Sequence, residues 1–231
     1  QAKTIGILGG GQLGRMLSMA AAQLGIRSHI LAPDSESVAG DCAASLTRQN
    51  YGERPPQDFA RSIDVLTYEF ENVPASAFAG YPDDVRIYPP VRALDIAQSR
   101  VAEKQFVADL GGATAPFAYA ETAEQLAAAI AEIGAPSILK TNRMGYDGKG
   151  QCRLSGGEDA AALWADMGGV ALLLEGFVAF SAEFSVIMAR GRDGAHVFYD
   201  SAENSHRDGI LDRCIVPASA TVLAQVDAAR A

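Results

Sequence analysis

Apolar residues recur along the chain in two rhythms. Short apolar runs at Lys3 to Leu8, Ser28 to Leu31, Ile63 to Thr67 and Val85 to Tyr88 predict strands. Between the first two runs, Leu13, Met16, Leu17, Ala20 and Leu24 are spaced by threes and fours. That spacing predicts a helix over residues 12–24, stopped at Gly25. Strands alternating with helical stretches predict a parallel α/β sheet. Tyr88-Pro89-Pro90 punctuates the chain, and Val91 to Leu110 reads as one helix.

After Gly111-Gly112 the grammar changes. Phe117 to Ala120 and Ser137 to Lys140 predict strands, with a helix at Glu124 to Ile133 between them and a short one at Ala161 to Met167. From Ala171 the chain reads as mostly β: Leu172 to Glu175, Phe184 to Ala189, His196 to Tyr199 and Ile210 to Val216 are strands, and Val222 to Ala231 closes as a helix. Arg192-Asp193-Gly194 and Arg207-Asp208-Gly209 sit where hairpin turns belong. The chain carries no internal repeat and no low-complexity tract.

Four stretches carry candidate chemistry. Gly9-Gly10-Gly11-Gln12-Leu13-Gly14 follows a strand and opens a helix, with Asp34 twenty residues past Gly14. Glycines let backbone approach an anion, and a helix N-terminus supplies N–H groups and positive potential. Three readings stay open for this turn alone: a dinucleotide, another phosphorylated ligand, or a tight structural turn. Tyr68-Glu69-Phe70-Glu71-Asn72 ends the third strand. Alternation puts both carboxylates on one side, either facing the same crevice as the glycine turn or facing solvent.

The third stretch, Ser137 to Gln151, brings Lys140 to a strand end. A loop with Gly145, Gly148 and Gly150 follows, carrying Tyr146, Asp147 and Lys149. A strand-held lysine can neutralise phosphate charge, and a glycine loop can cover phosphates with its N–H groups. An exposed strand-end lysine contributes little packing, so replacing Lys140 is expected to affect phosphate binding and not stability. The order of a Walker loop is absent. The fourth stretch is the apolar strand Leu172 to Val178 with Glu175 at its end; Glu183 follows eight residues later, and His206 sits beside the second turn. Arg100 and Lys104, four apart on one helical face, read alone as a solvated stripe. Trp164 reads as packing, and His29 and His196 receive no role.

In combination these pieces resemble the ATP-grasp ligases, and more closely the 5-(carboxyamino)imidazole ribonucleotide synthetase family of purine biosynthesis. The resemblance rests on GGGQLGRM at 9–16, YEFENV at 68–73, SRVAEKQF at 99–106, GYDGKGQ at 145–151, LLLEGFV at 172–178 and ENSHRDGIL at 203–211, in that order. It implies a Rossmann-like pre-ATP-grasp domain over residues 1–95, a small lid domain over 96–170, and a partial ATP-grasp large domain over 171–231. The fold class is thus α/β followed by α+β.

The resemblance also implies site residues. ATP would be bound by Arg100, Lys140, the loop residues Gly145, Tyr146, Asp147, Gly148, Lys149, Gly150 and Gln151, then Glu175, Gly176, Phe177, Val178, Glu183 and His206. Asp147 and Lys149 would be catalytic, and position 149 is often Arg in the family. Gly11, Gln12 and Leu13 would face the aminoimidazole ribonucleotide, with its phosphate at the helix N-terminus. Glu69 and Tyr146 would also contact this substrate. The implied reaction carboxylates the ribonucleotide with ATP and bicarbonate through carboxyphosphate. Another purine-pathway ATP-grasp ligase, a non-catalytic nucleotide-binding module and, more remotely, a nicotinamide oxidoreductase remain alternatives.

The family carries a later segment with an acid, an Asn-Glu pair that holds magnesium and a Pro-Arg stretch, none of which is found here. The chain is therefore expected to be the amino-terminal two-thirds of the enzyme, inactive alone, with the magnesium ligands outside it and apolar strand surface left uncovered. Composition narrows the partners. Lys plus Arg is 19 against 28 Asp plus Glu, a net charge of −9, which argues against nucleic acid. No apolar run reaches the ~18 residues of a membrane span, and no signal peptide opens the chain; Gln1 in place of Met reads as processing or trimming. Three scattered cysteines, Cys42, Cys152 and Cys214, form no disulfide framework or zinc site and point to a reducing, cytoplasmic compartment. The expected partners are the small-molecule substrates and a second copy of the chain, as a homodimer, with no membrane.

Overall fold

A computed structural model describes residues 3–145, 149–207 and 210–230. The chain divides into two compact units, residues 1–112 and 113–231.

The first unit is a five-stranded parallel sheet. Its strands are β1 (Thr4–Leu8), β2 (Arg27–Ala32), β3 (Ser45–Arg48), β4 (Val65–Tyr68) and β5 (Arg86–Ile87), in the order β3-β2-β1-β4-β5. Both faces are covered, so adjacent residues of one strand serve opposite cores. Ile7 and Ile30 join Ala32 and Ala39 on one face. Leu8 and Leu31 join Phe59, Leu66, Val73 and Leu94 on the other. Strand β3, SLTR, escaped the sequence reading because it is a polar edge strand with no fully buried residue.

Helix α1 (Gln12–Gln23) packs through Gly14, Ser18 and Ala21, not through its large apolar residues. Leu13, Met16 and Leu17 are exposed, at 59%, 58% and 42%. A short helix α2 (Gln57–Ser62) supplies buried Phe59. The helix expected over residues 91–110 is two helices, α3 (Val91–Ala97) and α4 (Arg100–Asp109). Ser99 separates them: its hydroxyl accepts from the Ala102 N–H at 3.4 Å and caps α4.

The second unit begins with a four-stranded antiparallel sheet, β6 (Phe117–Ala120), β7 (Ser137–Thr141), β8 (Gln151–Leu154) and β9 (Leu172–Gly176), in the order β6-β9-β7-β8. Helices α5 (Ala123–Ile133) and α6 (Ala160–Asp166) belong to this part. Leu126 and Ala129 of α5 bury Leu139, Leu154, Leu172 and Leu174, with Trp164 packed alongside as read from the sequence. Each fully buried leucine of this kind contributes about 1.5–3 kcal/mol.

The remaining strands are short. β10 (Glu183–Ser185), β13 (Ala202–Arg207) and β14 (Ile210–Ile215) form one antiparallel sheet, and β11 (Met188–Arg190) pairs with β12 (His196–Phe198). The strand expected over 184–189 is therefore two strands in two sheets. Gly191 to Gly194 makes the expected β11–β12 turn, with Gly191 N–H donating to Ala195 O at 2.7 Å. Arg207 pairs with Ile210, and Asp208 and Gly209 lie outside the described residues. Helix α7 (Ala220–Arg230) seats Val222 and Val226 against Ala182 and Phe184. Ile187, Val197 and Tyr199 are exposed, at 55%, 64% and 62%. No helix among the described residues is long and apolar enough to cross a membrane.

Candidate functional site

Two groups of predicted residues assemble, one in each unit. In the first unit, the chain leaves β1 for β2 on one side and later returns to β4 on the other. The switch between β1 and β4 is where an open parallel sheet forms a crevice. The glycine turn follows β1 and Glu69 follows β4, so sheet order alone makes them neighbours. Glu69 N–H donates to Leu8 O at 2.8 Å, tying the two strand ends together.

The turn is closely packed. Ser37 hydroxyl donates to Gly10 O at 3.1 Å, and Ala39 N–H donates to the same oxygen at 3.1 Å. Gly9 holds φ +133°, which L side chains rarely adopt. A Cβ there would overlap the Glu69 carboxylate, and a Cβ on Gly11 would lie 2.9 Å from Glu69 Oε1. The Glu69 carboxylate lies beside the backbone N–H groups of Gly11, Leu13 and Gly14, at the start of α1. Partial burial pushes its pKa up, those N–H groups oppose the rise, and the neighbouring Glu71 adds to it.

Tyr51 was not singled out in the sequence and stands beside this site, stacked on Phe70 at 5.8 Å. Burial, with Asp34 and Glu69 nearby, pushes its phenol up to about 12. Gln12 and Leu13 are exposed at the first turn of α1.

In the second unit, pairing register builds the site. Leu139 and Leu174 face the helices, so alternation turns Lys140 and Glu175 to the opposite face. Ile138 is opposite Glu175 and Lys140 is opposite Leu173, which makes Lys140 and Glu175 diagonal neighbours. Lys140 Nζ donates to Glu175 Oε2 at 2.7 Å, with side chains 21% and 12% exposed. The expectation of an exposed strand-end lysine is thereby corrected: Lys140 is half-buried and ion-paired.

Gln151 pairs with Lys140, and Arg153 with Ile138, so both sit on the same face. The Arg153 guanidinium lies 4.5 Å from the ring centre of Phe177. Arg153 was missed; its signal was the alternation Gln151-Cys152-Arg153-Leu154, with Leu154 inward. Gly176 N–H donates to Pro116 O at 2.8 Å and Phe177 N–H to Pro136 O at 3.1 Å, which fixes the segment leading to exposed Val178.

Thr141 N–H donates to Gly150 O at 2.8 Å and closes the stem of the glycine loop. At its base lies a cavity of about 540 Å³, lined among others by Tyr119, Asn142, Arg143, Gly145, Lys149 and Gly150. Tyr146, Asp147 and Gly148, three of the predicted loop residues, lie outside the described residues.

Glu183 and His206 also meet. Glu183 pairs with Asn204, so His206, two residues on, faces the same side. His206 Nδ1 is 3.4 Å from Glu183 Oε1. The sequence placed His206 at a turn; it lies in β13, whose polar sequence AENSHR concealed the strand. Arg100 is the first residue of α4, in the first unit.

Comparison with known proteins adds to this geometry. The family model of the ATP-grasp domain matches residues 105–231, and that of the ribonucleotide synthetase preATP-grasp domain matches residues 2–98. The N5-carboxyaminoimidazole ribonucleotide synthase of Brucella melitensis is 45% identical over 222 residues, 95% of this chain. The chain spans 61% of the length of that relative. Among solved structures, an N5-carboxyaminoimidazole ribonucleotide synthetase in complex with ADP superimposes with a TM-score of 0.88 at 34% identity, covering 98% of this chain and 61% of the other. An Aspergillus clavatus synthase in complex with ADP and 5-aminoimidazole ribonucleotide gives 0.81 at 26% identity, covering 96% and 59%.

Proposed function

Because the chain belongs to the ATP-grasp family, we propose that it binds ATP through its second unit and 5-aminoimidazole ribonucleotide through its first. In this reading it belongs to an enzyme that carboxylates the ribonucleotide's exocyclic amine with bicarbonate, in purine biosynthesis. The observation that carries the reading is the sheet face on which Lys140, Glu175, Gln151 and Arg153 stand together. It occurs in a chain 45% identical over 95% of its length to a synthase of that name.

The chemistry follows from the residues. Lys140 and Lys149 offer positive charge to the nucleotide phosphates. The backbone of Glu175 to Val178 runs beside them and offers hydrogen-bonding groups to the base. Glu183 and His206 offer polar contacts to the nucleoside, and Gly145 to Gln151 cover the phosphates. Bicarbonate oxygen attacks the γ-phosphorus, ADP leaves, and carboxyphosphate forms. The amine nitrogen then bonds to its carbon, phosphate leaves, and the nitrogen loses a proton. Catalysis of this kind rests on positioning and charge neutralisation. It needs a covered site, because carboxyphosphate is readily hydrolysed. Lys149 is assigned to the transferring phosphoryl group as a point charge. Asp147 is assigned with it, although it lies outside the described residues.

Magnesium does not fit the residues at hand: no cluster of three or more His, Cys, Asp or Glu among the described residues is placed to hold a metal. The side chains named above contribute part of the charge neutralisation, and the proposed magnesium is assigned no ligand among the described residues. A cytoplasmic homodimer with small-molecule substrates completes the reading; the net charge of −9 argues against a nucleic-acid partner, and the three free cysteines suit a reducing compartment.

The test is transfer of label. The natural protein carrying this chain, given ATP, ¹³C-bicarbonate and 5-aminoimidazole ribonucleotide, should yield a ¹³C-carbamate signal on the ribonucleotide and one phosphate per turnover. Phosphate release with no labelled ribonucleotide would exclude carboxylation.

A further inference from the structure

The sheet face turned away from α5 and α6 has a direction. One end is marked by the stem of the glycine loop, where Thr141 N–H donates to Gly150 O at 2.8 Å, and by Lys140 opposite Gln151. Two residues further along the strands, about 7 Å by strand rise, Ile138 stands opposite both Arg153 and Glu175. Phe177 and Val178 follow β9 at that end. We propose that Arg153, held on the Phe177 ring, binds the base of the nucleotide: its guanidinium stacks on the heteroaromatic ring and donates to that ring's nitrogen acceptors. This deepens the reading that the second unit binds ATP, and rests on it.

Position favours this role. Cys152 and Leu154 join the core on the helix side, so alternation gives Arg153 the other face, with Lys140 and Glu175. A nucleotide with its phosphates at Lys140 and the glycine loop, laid along the strands, carries its base toward Ile138, Arg153 and Phe177. The surface there suits a flat ring. Ile138 is half-buried, and Phe177 and Val178 are 41% and 50% exposed. Apolar side chains beside a few polar groups receive a base, whereas a phosphate gains nothing from them.

The Arg153 side chain is also uncommitted. Its guanidinium carbon lies 4.5 Å from the centre of the Phe177 ring, yet the residue is exposed. Among the described residues its side chain makes no hydrogen bond or ion pair. The nearest acid by register, Glu175, is engaged with Lys140 at 2.7 Å. A guanidinium is planar, stacks on π-faces and carries five donors around its edge. With Phe177 against one face, its other face and its edge are left for a ligand. Phe177 is fixed in turn by its N–H, which donates to Pro136 O at 3.1 Å.

The experiment separates base from phosphate with a truncated ligand. On the natural protein carrying this chain, calorimetry compares ADP with inorganic tripolyphosphate, which has no base. Arg153→Ala should weaken ADP roughly tenfold and leave tripolyphosphate within about twofold. Lys140→Ala should weaken both. Arg153→Lys keeps the charge and the reach but not the flat face, so it should not restore ADP binding. Unchanged ADP affinity in both Arg153 variants, full affinity in Arg153→Lys, or tripolyphosphate weakened as much as ADP in that variant would overturn the assignment. Arg153→Lys decides the matter even if the alanine variant does not fold. A wild type that binds neither ligand would sink the nucleotide reading and this inference with it. A wild type that binds both, with variants that miss these expectations, would sink the role of Arg153 alone.

Discussion

Lys140 and Glu175, thirty-five residues apart, are held 2.7 Å apart by the register of two antiparallel strands. Neither side chain is more than 21% exposed. Each therefore supports the other as well as any nucleotide, and removing one leaves a partly buried charge behind. Lys140→Ala should cost about 1–3 kcal/mol of stability and also weaken ATP binding. Adding Glu175→Gln should recover part of that stability and none of the binding. Urea unfolding of the four members of the cycle measures the coupling; strictly additive losses would show that the pair does not interact.

The Glu183–His206 pair should behave differently. Its side chains are 39% and 38% exposed at 3.4 Å, and exposed pairs are worth about 0–1 kcal/mol. His206→Ala should leave urea stability within that range while weakening ADP binding in calorimetry. A large stability loss with normal ADP binding would make His206 structural.

Much of this was legible in the chain, and the reasons are local. Strands β1, β7 and β9 announced themselves because burial demands continuous apolar runs. Strands β3 and β13 did not, since SLTR and AENSHR carry few apolar residues and take their place from neighbours. The break at Ser99 was readable as a cap but was overridden by the helical spacing around it. Lys140 and Glu175 could each be singled out, while their pairing depended on a register that no local pattern encodes. The stripe Leu13, Met16 and Leu17 marked the helix correctly but not its buried side, which is lined by Gly14, Ser18 and Ala21.

Gly9 gives a test of the packing around Glu69. Its φ of +133° and the carboxylate lying where a Cβ would go both oppose a side chain. Gly9→Ala should cost at least about 2 kcal/mol. Gly25 has φ +70° and nothing within 4 Å of where its Cβ would stand, so it carries the conformational penalty alone. Gly25→Ala should therefore cost less. Equal losses would remove Glu69 from the explanation.

His29 should make the first unit acid-sensitive. Its Nδ1 is 2.7 Å from Ser62 Oγ and its Nε2 is 2.9 Å from Thr47 Oγ1. Ser62 already donates to Phe59 O at 2.8 Å, so it accepts from Nδ1–H, and Nε2 is left to accept from Thr47. Burial lowers the His29 pKa below 6.5. Below that value the unfolded chain binds the proton more readily, so stability is full above about pH 6.5 and falls as pH drops toward the folded value. His29→Gln should flatten this dependence in urea unfolding followed from neutral to mildly acidic pH. An unchanged slope would assign the acid sensitivity to other groups.

The central claim, an ATP-grasp nucleotide site built on Lys140 and Glu175, is tested most directly by which nucleotide protects the chain against thermal unfolding. A ligand at about 100 times its dissociation constant adds about 2.7 kcal/mol. ATP and ADP should raise the unfolding temperature, Lys140→Ala should lose most of that gain, and NAD should have no effect. Protection by NAD with none from ATP or ADP would contradict the account.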